Sequence, residues 1–197
     1  MGCDYYYIMD LRVTNELFGT NEKKIQQLQE VGVKLEECLR QIQELLRKKE
    51  ADVYERKQLQ LLESQCCGNL GGVHLEIGKL YLKNDSKKPA LTEFDAAAKY
   101  NWKAIELKKD AKNNVHLFRN YVALGTVEFY KGKYYEALRQ EDPKNVIDNY
   151  YIEKEKECYL EGVSFHKRSE TAHLKEYTEG FRHVAFLNIA GCYRSLC

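Results

Sequence analysis

Apolar and polar positions alternate with helical spacing along most of this chain. From Asn21 to about Ser64, Leu28, Val31, Leu35, Cys38, Ile42 and Leu45 recur at intervals of three and four. That spacing lays one apolar stripe on a helix whose other faces are polar. The period is also heptad-like, but Lys49 and Asp52 occupy the continuing seam positions, and a second stripe of Val53, Leu59 and Leu62 is less regular. A long helix packed on its own chain is therefore expected ahead of an intermolecular coiled coil.

Next comes CCGNLGG, residues 66–72. These glycines follow no β-branched strand and form no phosphate-binding GxxxxGK[ST] loop, so a turn between helices is expected. Residues 73–110 read as a helical hairpin. Ile77, Leu80 and Tyr81 share a face, NDSKK supplies a turn, and Pro89 sits in the first turn of the second helix, where its missing N–H costs nothing. Ala90, Phe94, Ala97 and Ala98 continue that helix, with Asn101 and Ile105 extending the face. The run VALGTVEFYKGKYYEAL, residues 122–138, carries Gly125 and Gly132 seven positions apart. A helix-interior glycine costs about 1 kcal/mol relative to alanine. Gly125 is therefore expected at a close helix–helix contact, and Gly132 also needs a local reason. Further on, Asp142 and Pro143 suit a helix N-cap and first position.

Laying Ile77-Gly78 on Leu124-Gly125 also places His74 on Tyr121, Leu80 on Val127 and Ala90 on Ala137. A helix pair cannot bury its apolar face alone, so a repeated pair implies stacking on a neighbour. His74, Ile77, Gly78, Tyr81, Ala90, Phe94 and Ala97, then Tyr121, Leu124, Gly125, Gly132, Tyr134 and Ala137, resemble the signature of the tetratricopeptide repeat superfamily. His74, Trp102 and Glu128 depart from it, and the 47 positions from Gly78 to Gly125 exceed the family period of about 34. Phe186, Ile189, Ala190 and Tyr193 form a third partial copy 65 positions after Gly125, with a degenerate pair expected around CYLEGVSF. The last copy reads either as a cap or as part of a longer array.

The resemblance implies an all-α fold: antiparallel helix-turn-helix repeats stacked into a short solenoid over 66–197, preceded by an N-terminal segment, 1–65, with the long amphipathic helix. It also implies a corner between paired helices at Gly132 and a concave groove for a peptide or helix. Carried onto this chain, the groove positions are Leu75, Lys79, Leu82 and Lys83, then Val122, Thr126, Phe129 and Tyr130, joined by Arg119. Repeats that clamp a C-terminal carboxylate use an Asn just after the small residue. Here Lys79 and Thr126 stand there, so apolar anchoring with cationic steering is the expected mode.

Composition narrows the rest. With 31 Lys+Arg against 30 Asp+Glu, the chain has no global attraction for nucleic acid or anionic membrane. The basic and aromatic residues of FYKGKYYEALR are better explained by helix packing. Seven cysteines without a CxxC framework, and a start without a basic and apolar leader, fit a reduced, cytoplasmic, soluble protein. VAFLNIAGC, the longest apolar run, is too short to span a bilayer. Gly2 and Cys3 suggest acylation, but Tyr6 stands where that pattern wants Ser or Thr. His166, His173, His183 and Cys158 lack the spacing of a metal or catalytic motif, and runs such as IEKEKE read as solvated helix. No cofactor is implied. The expected function is a non-enzymatic scaffold or adaptor, with a structural subunit of a large assembly as the alternative and an enzyme with an unrecognised site as the outlier.

Overall fold

A computed structural model describes residues 19–47, 52–110, 117–141, 148–173 and 179–196. Among these described residues there are six helices: α1 (Asn21–Arg47), α2 (Val53–Lys83), α3 (Lys87–Asp110), α4 (Leu117–Glu141), α5 (Asp148–His173) and α6 (Glu179–Leu196). Among the described residues there is no strand. The protein is all-α, and it is built by packing each helix on its neighbours.

α1 runs antiparallel to α2. Its apolar stripe is used within the chain: Ile25, Leu28, Leu35 and Leu39 are buried against Cys66, Cys67, Leu70 and Val73 of α2, with Val31, Cys38 and Ile42 packed on the same cluster. The heptad pattern fails after Leu45 because this helix ends at Arg47. Asp52, which breaks the seam, starts α2 instead. Its carboxylate accepts from the Glu55 backbone N–H at 2.8 Å, and the Glu55 side chain accepts from the Asp52 N–H at 3.3 Å, a reciprocal capping box.

Two expectations about glycine are corrected here. CCGNLGG is not a turn: α2 runs unbroken from Val53 to Lys83, and the proposed 65/66 segment boundary lies inside it. Gly132 is not a corner: α4 is one helix from Leu117 to Glu141, so Ala137 does not lie on a second helix. CYLEGVSF likewise belongs to a single helix, α5. The hairpin turn expected at NDSKK does form. Asn84, Asp85 and Ser86 link α2 to α3, with the Ser86 N–H donating to the Tyr81 carbonyl at 2.8 Å and Asp85 at φ 60°. Aspartate tolerates that left-handed backbone better than most residues. Pro89 falls in the first turn of α3 as expected. The N-cap assigned to Asp142 and Pro143 lies outside the described residues, as do Gly2, Cys3 and Tyr6.

The glycines are seats for partner side chains. A Cβ built on Gly78 would lie 2.6 Å from Phe94, and one on Gly71 would lie 2.2 Å from the Asn101 amide. In the next hairpin a Cβ on Gly132 would lie 2.5 Å from Tyr159, and one on Gly125 2.6 Å from His166. In both hairpins, two seats seven residues apart receive two side chains seven residues apart on an antiparallel partner. A repeat is therefore present, but one heptad away from the expected register. Gly71 corresponds to Gly125 and Gly78 to Gly132, while Phe94 corresponds to Tyr159 and Asn101 to His166. The interval between equivalent glycines is 54 residues, not 47. α2/α3 and α4/α5 are the most extensively packed pairs, and α4 also touches α2 while α6 touches α4.

Candidate functional site

The face predicted to bind a partner runs along α2 and α4, which lie parallel. Leu75 of α2 and Val127 of α4 meet in a buried cluster with Ala90, Phe94 and Ala97 of α3, and Leu82 and Tyr130 pack on its margin. Lys79 reaches from α2 to the Tyr130 ring on α4, with its Nζ 5.4 Å from the ring centroid. Tyr130 stacks against Phe94 at 6.1 Å, and Phe129 meets Tyr130 edge-on at 5.4 Å.

The nine candidate residues therefore separate into three groups. Lys79, Leu82, Phe129 and Tyr130 are brought together toward the C-terminal part of α2, with exposed Lys83 beside them. Leu75 and Val122 are buried to 7% and 6% exposure and belong to the core, so they present no surface to a partner. The reason is geometric: adjacent helices take the whole apolar stripe of α2 and α4, including positions that the resemblance assigned to an open groove. Arg119 lies eleven residues before Tyr130 on the same helix, about 16 Å along its axis. The half-buried Thr126 lies one turn before Tyr130 on the same helix, with its hydroxyl donating to the Val122 carbonyl at 2.9 Å, so Arg119 alone stands apart.

Phe129 is also constrained by α6. A Cβ on Gly191 would lie 2.9 Å from the Phe129 ring, and the ring centroid is 5.9 Å from that of Tyr159. Cys192 and Leu196 pack with Tyr159 and Val163 alongside it. The small residue at this contact is Gly191. Ala190, expected there, is exposed, Ile189 is half-buried and Tyr193 is 46% exposed. The side chain of Phe186 lies outside the described residues.

Two cations on this face are matched by carboxylates. Lys79 pairs with Glu76 at 2.8 Å, and Lys133, about 6 Å from the Phe129 and Tyr159 ring centroids, pairs with Glu136 at 2.6 Å. Each pair joins residues three apart on one helix, which limits the field available to steer a ligand. Deeper in, Lys131 bridges Asp95 at 2.8 Å and Glu128 at 3.4 Å. Burial raises the pKa of Glu128 above the ordinary carboxylate range despite Lys131. Burial opposes the charge on Lys131, but Glu128 and Asp95 hold its ammonium above its ordinary value. The sequence offered no signal for this bridge beyond the departure of Glu128 from an apolar repeat position.

The described candidate chemical residues, Cys158 and His166, are each buried. Burial raises Cys66 and Cys158 to about 12 and Cys67 and Cys192 to about 11, so these thiols stay protonated at neutral pH. His166 lies in the Gly125 seat, and burial lowers its pKa to about 4. The side chains of His173 and His183 lie outside the described residues. Among the described residues no group of three or more His, Cys, Asp or Glu is placed to hold a metal ion, and no helix is long and apolar enough to cross a membrane. Comparison with protein-family models, curated proteins and solved structures finds no match for this chain.

Proposed function

We propose that this chain is a non-enzymatic helical scaffold, related in design to the tetratricopeptide repeats. It would bind a peptide or helix of another protein on the ledge formed by Lys79, Leu82, Lys83 and Tyr130. The carrying observation is the Lys79–Tyr130 contact, which joins two successive hairpins at a partly exposed aromatic and aliphatic surface. A tyrosine held by a neighbouring ring and a lysine is pre-organised, so a ligand that covers it loses little side-chain freedom on binding. Balanced charge and protonated thiols agree with a cytoplasmic protein that works without a cofactor, nucleic acid or membrane span.

The test is capture of cytosolic protein partners by the intact chain and by two variants. Tyr130→Ala and Lys83→Glu should each reduce capture at least tenfold, an effect of about 1.4 kcal/mol, while the helical circular dichroism is retained. Undiminished capture by both folded variants would remove the ledge as the binding surface.

A second reading, a structural subunit held by obligate contacts, is favoured by a different observation. Leu160 on α5 and Leu187 and Tyr193 on α6 are 58%, 59% and 46% exposed. Sedimentation of the isolated chain separates the readings: a stable monomer supports the scaffold, and concentration-dependent association supports the subunit.

A further inference from the structure

The two hairpins seat different residues at equivalent positions. In the first, Asn101 fills the Gly71 seat with its amide satisfied: Nδ2 donates to the Ala97 carbonyl at 2.9 Å, and Oδ1 accepts from Asn120 Nδ2 at 3.0 Å. In the second, His166 fills the Gly125 seat with no exposed surface, and neither ring nitrogen has a hydrogen-bond partner. A neutral imidazole can be packed this way as a flat ring, but an imidazolium leaves two buried donors and a charge unsatisfied.

We propose that the His166–Gly125 contact is an acid-sensitive latch: protonation of the ring opens α5 from α4 while the α2/α3 hairpin stays closed.

Among the described residues, the surroundings offer the charged ring no compensation. On α4, Tyr121 lies a turn before Gly125 and Glu128 a turn after it, with Glu128 turned to Lys131 and Cys158. From α3, the side chains packed toward Phe165 are Ala98, Trp102 and Ile105, none of which titrates, while Lys108 is held by Asn120 at 2.8 Å. On α5 itself Glu161, Lys167 and Arg168 are exposed. From α6, Cys192 reaches Gly162, and its thiol stays neutral in acid.

Burial lowers the His166 pKa from 6.5 to about 4 in the closed form. The open form therefore binds the extra proton throughout that window. The closed form is fully favoured above about pH 6.5 and loses its advantage as pH falls toward 4. Glu128 acts in the opposite sense, because its raised pKa makes protonation favour the closed form.

Amide hydrogen exchange on the full chain at pH 6.5 and 4.5, corrected for the intrinsic chemical rate, tests the latch. With a ring pKa of 6.5 when open and about 4 when closed, α5 amides should open about fortyfold more often at pH 4.5 than at pH 6.5. Amides of α2 and α3 should change little. His166→Asn, which copies the first hairpin, and His166→Phe should each reduce the α5 rise below about threefold, in contrast to that fortyfold expectation. An unchanged rise in a folded variant, or an equal rise in both hairpins, overturns the proposal. If neither variant folds, NMR titration of the wild-type ring decides. A folded-state ring that is still neutral at pH 5 sustains the latch, and one that titrates near 6.5 overturns it.

Discussion

Gly132 shows how a single residue can carry two opposed effects. Alanine is favoured over glycine inside a helix by about 1 kcal/mol, so Gly132→Ala would stabilise an isolated α4. In the folded chain, however, the new methyl carbon would lie 2.5 to 2.8 Å from three carbons of the Tyr159 ring. That ring is fully buried and its hydroxyl donates to Glu136 at 3.2 Å, so it cannot swing aside without losing packing and a hydrogen bond. Forcing a group into a filled core costs about 1–3 kcal/mol, which outweighs the propensity gain. Urea denaturation should show Gly132→Ala less stable than wild type by up to about 2 kcal/mol. Gly32→Ala is the internal control. Its nearest neighbour is a Val73 methyl at 3.7 Å, an ordinary contact, so the propensity term should prevail and stability should rise by about 0.5–1 kcal/mol. The seven-residue spacing of Gly125 and Gly132 was legible in the sequence. Its meaning was not, because a glycine that receives a side chain looks the same in sequence as one that turns the backbone.

Whole helices are limited by their ends and their partners more than by the glycines within them. α2 contains Gly68, Gly71, Gly72 and Gly78, yet it continues for 31 residues because α1, α3 and α4 cover it. Packing of this kind overrides local propensity. The sequence signal that was decisive is at the N-terminus, where Asp52 and Glu55 form the capping box. The same Asp52 had been legible only as an interruption of the heptads. Asp52→Ala should destabilise the protein by about 1 kcal/mol, measured as a lower urea midpoint without a change in slope. The continuity of α2 has its own check. Amides of residues 66–72 should exchange as slowly as those of 75–80, whereas a turn at CCGNLGG would expose them to rapid exchange. The hairpin at residues 73–110 was readable because a short polar linker and a first-turn proline mark its corner. Helices α4 and α5 were misdivided because Gly132 and Gly162, which sit inside them at close helix contacts, look in sequence like glycines that break a helix.

At the scale of the molecule, stacking puts each helix in contact mainly with its neighbours, and stability in such arrays is approximately a sum of nearest-neighbour terms. Long-range consequences of a substitution should therefore fade along the stack. Phe129 provides a direct test, because its ring touches α6 at Gly191, α5 at Tyr159 and Tyr130 on its own helix. Removing a buried aromatic ring costs about 3–5 kcal/mol, and the half-buried position of Phe129 places it toward the lower end. If that loss falls mainly on α6, its amides should open about a hundredfold more often in Phe129→Ala, a change of about 2.7 kcal/mol. Tyr130 relays part of the effect to Phe94 and Lys79, so α2 should show a smaller rise. α1 lies one helix further and buries its stripe against α2, with Tyr100, Ala104 and Leu107 of α3 closing the same cluster and no contact with α4 among the described residues, so its protection should be unchanged. Segment-resolved hydrogen exchange reads all three helices in one experiment. Equal loss in α1 and α6 would mean a single cooperative unit, in which the ledge on α2 and α4 could not change without the rest of the chain. A graded loss would mean that a partner bound at Tyr130 acts first on α4 and α6, leaving the N-terminal pair as a stable base.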